Sequence, residues 1–293
     1  HGHPITFNIP GRDQEKAQSH RPWQVDIIND MHPNKVVMKS RQLGLSEMHA
    51  AETLWFVDTH SEFSVKALYA FPTIRQLDTF VKTRFDPVLS KGYYATIVDP
   101  RKSSMKEKQI RDSFLIFRSS SKSGSVEGID IDYLALDEYD RVGNQAEDSA
   151  TESMASSKFK VLRRFSTPTI PGYGIDRIFN KSDMKYYVHK CTHCGFDNKL
   201  KYADYDENNL EQSGNIRMIN PSGFHEDSME VEDGTFDFVC QQCGLHLDRW
   251  YNGRWVAMHP ERKEISGYFI SQLNAVWVKR GSHVTLRGIN KLC

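Results

Sequence analysis

The sequence predicts an α/β fold of the P-loop kind: a mostly parallel sheet covered by helices on both faces, with a small inserted zinc module. Three observations predict it. Apolar strand-like runs alternate with amphipathic helix-like stretches from residue 21 to about 185. The run VVMKSRQLGLSE (36–47) has the outline of a phosphate-binding loop between a strand and a helix. Two C-x-x-C pairs, CTHCG (191–195) and CQQCG (240–244), bracket a polar, acidic segment.

Bulk properties bound the function. At 293 residues the chain can bury a substantial core as one large or two smaller domains. Lysine plus arginine equals aspartate plus glutamate at 38 each, so any nucleic-acid surface must be a local patch. No apolar run is long enough for a membrane span and no signal peptide is present, which places the chain in a cytosol and away from membranes. Five cysteines are too few for a disulfide scaffold.

Residues 1–20 form a polar N-terminal segment with little pattern, and 21–185 read as the core. RPWQ (21–24) opens it. Gln24 is placed to read an adenine edge with Trp23 packed beside it; a helix start with a core tryptophan is the alternative. VVM (36–38) is a strand and 46–57 a helix. Between them the usual G-x-x-x-x-G-K-[ST] is broken twice. Lys39 stands where the first glycine belongs, and Leu45 where the lysine belongs. Backbone N–H groups and a helix N-terminus can still hold phosphate oxygens, which makes Lys39, Ser40, Arg41, Gln42, Leu43, Gly44, Leu45 and Ser46 the nucleotide-binding set. Gly44 supplies the tight backbone, Ser46 the Mg²⁺ hydroxyl, and a long Lys39 or Arg41 side chain the cation, reaching over from the start of the loop. A plain strand–turn–helix with an incidental glycine is the competing reading.

FSVKALYAF (63–71) is the next strand, closed by Pro72, and IRQLDTFVKTRF (74–85) is an amphipathic helix limited by Pro87. RKSSMKEKQIR (101–111) concentrates five positive residues in a poorly patterned stretch, suited either to phosphate contacts without sequence specificity or to a solvated loop. SFLIF (113–117) is a strand, followed by the Ser/Gly loop SSSKSGS (119–125). IDYLALDEYD (131–140) is an apolar strand ending in Asp137-Glu138. A carboxylate at the end of a buried strand is costly unless it has work to do. Here Asp137 is expected to hold Mg²⁺ and Glu138 to take the proton of an attacking water. VLRRFS (161–166) is the strand after it. In FSTPT (165–169) the Ser166 and Thr167 hydroxyls can sense a γ-phosphate, or cap a turn before a helix near 175.

From 186 to 258 the chain reads as the zinc module. Cys191, Cys194, Cys240 and Cys243 have the spacing to wrap one tetrahedral, structural Zn²⁺, worth about 10–16 kcal/mol of local folding. His189, His193 and His246 read as bystanders, Cys293 is unassigned, and the acidic insertion makes protein as reasonable a partner as nucleic acid. Residues 259–293 end the core domain.

Taken in order, RPWQ, KSRQLGLS, FPT (71–73), YLALDE, STPT and GIDRIFNKSDMKYYVHKCTHCG resemble the large terminase subunit of tailed bacteriophages, in particular its lambda-like branch with a zinc ribbon. GYFISQLNAVW (267–277) resembles that family's segment closing the ATPase domain, so the likeness spans roughly 20–277. The resemblance implies an ASCE, RecA-like ATPase that uses ATP and Mg²⁺ to pump double-stranded DNA into a procapsid. Lys39 is then the signature cation, Ser46 and Asp137 the Mg²⁺ groups, Glu138 the base, and Ser166–Thr167 the coupling motif. It further implies a homo-oligomeric ring on the portal protein, a small terminase subunit, an arginine reaching the site from a neighbour, and the host cell cytoplasm. Two departures stand out. Many terminases place an arginine shortly before the acidic strand, where this chain reads SVEGIDID; Arg118 or Lys122 is the candidate substitute. The family also carries a C-terminal RNase H-type nuclease, and VKRGSHVTLRGINKLC after residue 277 cannot hold its acids, so the chain is expected to be a motor domain without that endonuclease. Two rivals stay open: a superfamily 2 helicase or translocase fragment, and a non-enzymatic zinc-ribbon adaptor for nucleic acid or protein on a dead P-loop fold.

Overall fold

A computed structural model describes residues 21–278 except 121–127, 143, 202, 207–208, 226–229, 233 and 251–252. The N-terminal segment, Lys122 and Cys293 therefore lie outside the described residues. In chain order, α1 (Trp23–Asn29), β1 (Asn34–Lys39), α2 (Leu45–Thr59) and β2 (Lys66–Phe71) come first. A continuous helical stretch follows: α3 (Ile74–Phe80), a π-turn (Val81–Phe85) and α4 (Asp86–Leu89). Next are α5 (Gly92–Ala95), β3 (Val98–Asp99), β4 (Glu107–Ile110), β5 (Ser113–Ser119), β6 (Tyr133–Asp137), α6 (Asn144–Glu152), β7 (Val161–Ser166), α7 (Gly174–Phe179) and β8 (Lys185–Lys190). Short strands fill the insert: β9 (Asp197–Lys199), β10 (Ala203–Asp206), β11 (Asn209–Ser213), β12 (Ile216–Met218), β13 (Phe224–His225), β14 (Glu230–Val231) and β15 (Phe236–Phe238). β16 (Gly253–Ala257) and β17 (Ser266–Ile270) close the order.

An 11-stranded sheet runs β16-β8-β17-β1-β7-β6-β2-β5-β4-β3, with β9 added on β8. From β8 to β5 every pairing is parallel; the antiparallel ones lie at the two ends. This is a mixed α/β fold consistent with the RecA/P-loop type, as the strand–helix alternation predicts. Successive residues of the central strands bury on opposite faces. Val36, Met38, Leu134 and Leu136 pack with Ile175, Ile178 and Phe179 on one face. Tyr133, Ala135, Ala67, Tyr69 and Phe71 pack with Ala50, Leu54, Val57 and Leu77 on the other.

The second face also holds charge. Lys35 donates from Nζ to Glu52 Oε1 (3.0 Å) and to Ile27 O (2.7 Å). Arg163 donates from Nε to the same Glu52 oxygen (2.7 Å) and from Nη1 to His32 O and Pro33 O (2.9 and 3.0 Å). The Glu52 carboxylate thus ties α2 to β1 and β7, and the Lys35 ammonium adds α1. Losing Glu52 would leave two buried cations without their shared carboxylate.

Three features depart from the sequence reading. Pro87 does not end the helix. Lacking an N–H, it cannot bond Thr83 O, and the ladder widens into the π-turn, where Asp86 N donates to Val81 O. The sheet gains a central strand, β17, from residues read only as a closing segment, and β8 and β16 join the same sheet, so the stem of the 186–258 segment is shared with the core. The basic stretch 101–111 contains β4, next to the sheet edge, and Arg101, Lys108 and Arg111 pair with Asp99, Asp86 and Asp58 at 3.6, 2.8 and 2.8 Å. Those pairs favour the solvated reading. No helix among the described residues is long and apolar enough to cross a membrane.

Candidate active site

Register decides which side chains can meet. Lys39 lies opposite Ile270, Met38 opposite Ser166, and Phe165 opposite Asp137. The carboxyl ends of β17, β1, β7 and β6 therefore form one edge, the place where open parallel sheets bind ligands. A cavity of about 1310 Å³ opens there. Lys39, Gln42, Leu43, Gly44, Leu45, Ser46, Asp137 and Glu138 line one side, and Arg75, Thr79, Thr83, Arg84 and Lys91 of the α3–α4 stretch and beyond line the other. Arg84 Nε lies 3.0 Å from Glu47 Oε2 and ties the two sides.

The loop between β1 and α2 is shaped by backbone. Ser40 N donates to Ile270 O at 3.1 Å, extending the pairing with β17 by one residue. Gln42 and Gly44 then take positive φ (63° and 73°), turning the chain into α2, whose N-terminus has no side-chain cap. Uncapped N–H groups at a 15-residue helix start favour an anion. Leu45 is 1 % exposed and packs with Trp23, Leu43 and Met48. Gln24 donates from Nε2 to Gly44 O (2.9 Å) and Leu43 O (3.4 Å), so its amide nitrogen braces the loop rather than facing a base, and Trp23 is core. Arg41 is exposed and does not line the cavity. Lys39 does, with Nζ 4.0 Å from Glu138 Oε1.

The acidic pair ends β6. Asp137 is buried; Oδ1 accepts from Glu138 N (2.9 Å) and Oδ2 from the Tyr69 hydroxyl (2.9 Å). Burial pushes the Asp137 carboxyl up, against the pull of Lys39. Glu138 has φ 55°, a left-handed conformation strained for a non-glycine residue, which turns its side chain back toward Lys39. Two residues on, Asp140 gathers the segment that follows β7. Its N–H donates to Ser166 Oγ (3.1 Å), its Oδ2 accepts from Thr169 N and Oγ1 (both 2.8 Å), and its Oδ1 accepts from Ile175 N (2.7 Å). Thr167 Oγ1 is buried with no hydrogen-bond partner among the described residues.

Residues 13–260 match the family described as phage terminase large subunit gpA, ATPase domain. The chain belongs to that phage terminase ATPase family. Two crystal structures of the Thermus Phage P74-26 large terminase ATPase domain share its fold: an alanine mutant of one arginine (TM-score 0.51) and the domain itself (TM-score 0.50). Each is 12 % identical over 92 % of this chain and 89 % of the other. No curated protein matches the sequence.

Within this terminase domain the four cysteines converge. Their sulfurs lie within 4.8 Å of one another, with Cys191–Cys243 at 3.8 Å and Cys194–Cys240 at 3.6 Å. Four thiolates about 2.3 Å from one tetrahedral ion would be about 3.8 Å apart, so the set fits Zn²⁺ and is far too open for disulfides. Burial opposes ionisation of Cys240, but the Cys243 N–H, Asn198 and the Gln242 N–H bring its thiol down to about 6. The histidines are occupied elsewhere: His189 Nε2 meets Asn274 Oδ1 at 3.0 Å, His246 Nδ1 meets Asp237 Oδ2 at 2.8 Å, and His193 is exposed. Arg118 donates from Nη1 to Lys106 O and Phe117 O (3.2 and 2.9 Å) and does not line the cavity. Sequence reasoning missed Tyr69, Asp140 and Arg84. None carried a signal in the sequence, because each contact depends on which element lies beside which.

Proposed function

We propose that this terminase ATPase domain hydrolyses ATP at the carboxyl edge of its parallel sheet and drives double-stranded DNA into a procapsid. One observation carries the reading: Lys39, from the start of the loop, lines the same cavity as Ser46, Asp137 and Glu138, with its ammonium 4.0 Å from the Glu138 carboxylate. A cation that neutralises phosphate and a carboxylate that takes a proton from water are thus brought together without a lysine at position 45. In this reading the loop N–H groups of residues 40–46 and the α2 N-terminus cradle the phosphates. Ser46 and Asp137 would hold Mg²⁺, which supplies charge for the transferring phosphoryl group. Ser166 and Thr167 sense the γ-phosphate position through the turn anchored on Asp140.

Zn²⁺ on the four thiolates has a structural role, and the cysteine set favours the lambda-like branch. The portal protein, the small subunit, a homo-oligomeric ring and the host cytoplasm follow by family analogy, as does a nuclease in the complete polypeptide. The test is ATP turnover and nucleotide binding in wild type, Lys39→Ala and Glu138→Ala. Glu138→Ala should bind ATP normally and turn over at least 100-fold more slowly, on the order expected for losing a general base. Lys39→Ala should weaken binding as well. Equal turnover in wild type and Glu138→Ala would remove the base.

A further inference from the structure

Tyr69 and His49 stand behind Asp137, and neither is accounted for by packing alone. The Tyr69 hydroxyl donates to Asp137 Oδ2 at 2.9 Å and lies 3.3 Å from His49 Nδ1. Both side chains are completely buried. The His49 ring stacks on Phe165 (centroids 4.0 Å, planes 13° apart), and Phe165 is the β7 residue in register with Asp137. Tyr69 has one proton. Given to Asp137, it leaves the phenol oxygen as an acceptor, so the Nδ1 of His49 must carry the hydrogen that fills the second contact. Burial, with Arg163, Lys35 and Lys39 nearby, holds the imidazole well below its usual range and therefore neutral. A neutral ring protonated on Nδ1 has a bare Nε2, and His49 Nε2 is indeed without a hydrogen-bond partner among the described residues. An unfilled buried nitrogen is a cost that apolar packing would have avoided.

We propose that Tyr69 is a positioning residue that fixes the Asp137 carboxylate for divalent-cation binding, and that His49 sets the direction of its proton. This rests on the reading of Asp137 as a Mg²⁺ group. A carboxylate held at both oxygens, Oδ1 by the Glu138 N–H and Oδ2 by the Tyr69 hydroxyl, presents its remaining lone pairs at a set angle, and such outer partners typically govern about 10- to 100-fold of metal affinity.

The test uses the 293-residue chain and a fluorescent ATP analogue, titrating Mg²⁺ and reading binding rather than turnover. Tyr69→Phe deletes only the hydroxyl. It should raise the Mg²⁺ midpoint about 10-fold while leaving analogue binding without Mg²⁺ unchanged. His49→Leu should move the midpoint the same way, and His49→Asn, which keeps an N–H near the Nδ1 position, should recover most of the loss. An unchanged midpoint in Tyr69→Phe, or identical behaviour of the two His49 variants, overturns the proposal. Asp137→Asn separates the two levels. If it leaves the midpoint where it was, the metal reading fails and takes the relay with it; if it shifts the midpoint and Tyr69→Phe does not, only the relay fails.

Discussion

Leu45 occupies the position where a phosphate-loop lysine is expected, and it points inward at 1 % exposure among Trp23, Leu43 and Met48. Restoring the usual pattern would therefore harm the protein. Leu45→Lys should destabilise the fold by about 3 kcal/mol or more, by burying an unpaired ammonium, and should not raise ATP turnover. Urea unfolding together with an ATPase assay checks both; a stable and faster variant would show that position 45 can serve the phosphates. At this scale the sequence was readable where chemistry demands a residue type. Lys39, Ser46, Asp137 and Glu138 are expected together because a cation, a hydroxyl and two acids belong at such a loop and strand end, and all four line one cavity. Gln24 makes a contact that its motif does not foretell, its amide nitrogen bracing Gly44 O. Tyr69 and His49 were invisible because their roles depend on which strand lies beside which.

Among the elements, the turn between β7 and α7 is held by two carboxylates, Asp140 and Asp176, the latter accepting from the Gly172 N–H at 2.6 Å. Asp140 accepts from Thr169 and from the Ile175 N–H, and Gly174, at φ +50°, lets it approach: a Cβ there would be 2.5 Å from Asp140 Oδ1. Asp140→Asn keeps the size but turns one acceptor into a donor facing N–H groups. It should cost about 2 kcal/mol in urea unfolding and lower DNA-stimulated ATP turnover more than basal turnover. Wild-type unfolding and an unchanged ratio of the two rates would mean that the turn hangs on something else. Strands with strong apolar patterns were legible almost to the residue, as VLRRFS became β7 (Val161–Ser166). The helix through Pro87 was not, because a π-turn absorbs the missing N–H and leaves no trace in periodicity. The last two strands at that end of the sheet, β4 and β3, escaped because half-exposed charged residues carry no period of two.

Across the whole molecule, the cysteine cluster is joined to the sheet. Cys191 and Cys240 share a small core with Leu200, Ile216, Phe236, Phe238, Leu247 and Leu273, and Leu273 follows β17 directly. Arg249 donates to Leu273 O and stacks over Phe238, while His189 of β8 holds Asn274. Stripping the metal with a strong chelator should therefore lower the melting temperature of the entire domain and expose β8 amides to hydrogen exchange as well as those around the cysteines. An unchanged melting curve, or a purified protein with no zinc bound, would count against a structural metal. A wider consequence follows from β17. It pairs with β1 from Lys35↔Ser266 to Lys39↔Ile270, so the strand that launches the phosphate loop gains its second neighbour from the far end of the described chain. During synthesis on a ribosome, β1 waits with one flank open until residue 270 has emerged. The cavity edge at Lys39 is thus completed only when nearly all of the described chain exists.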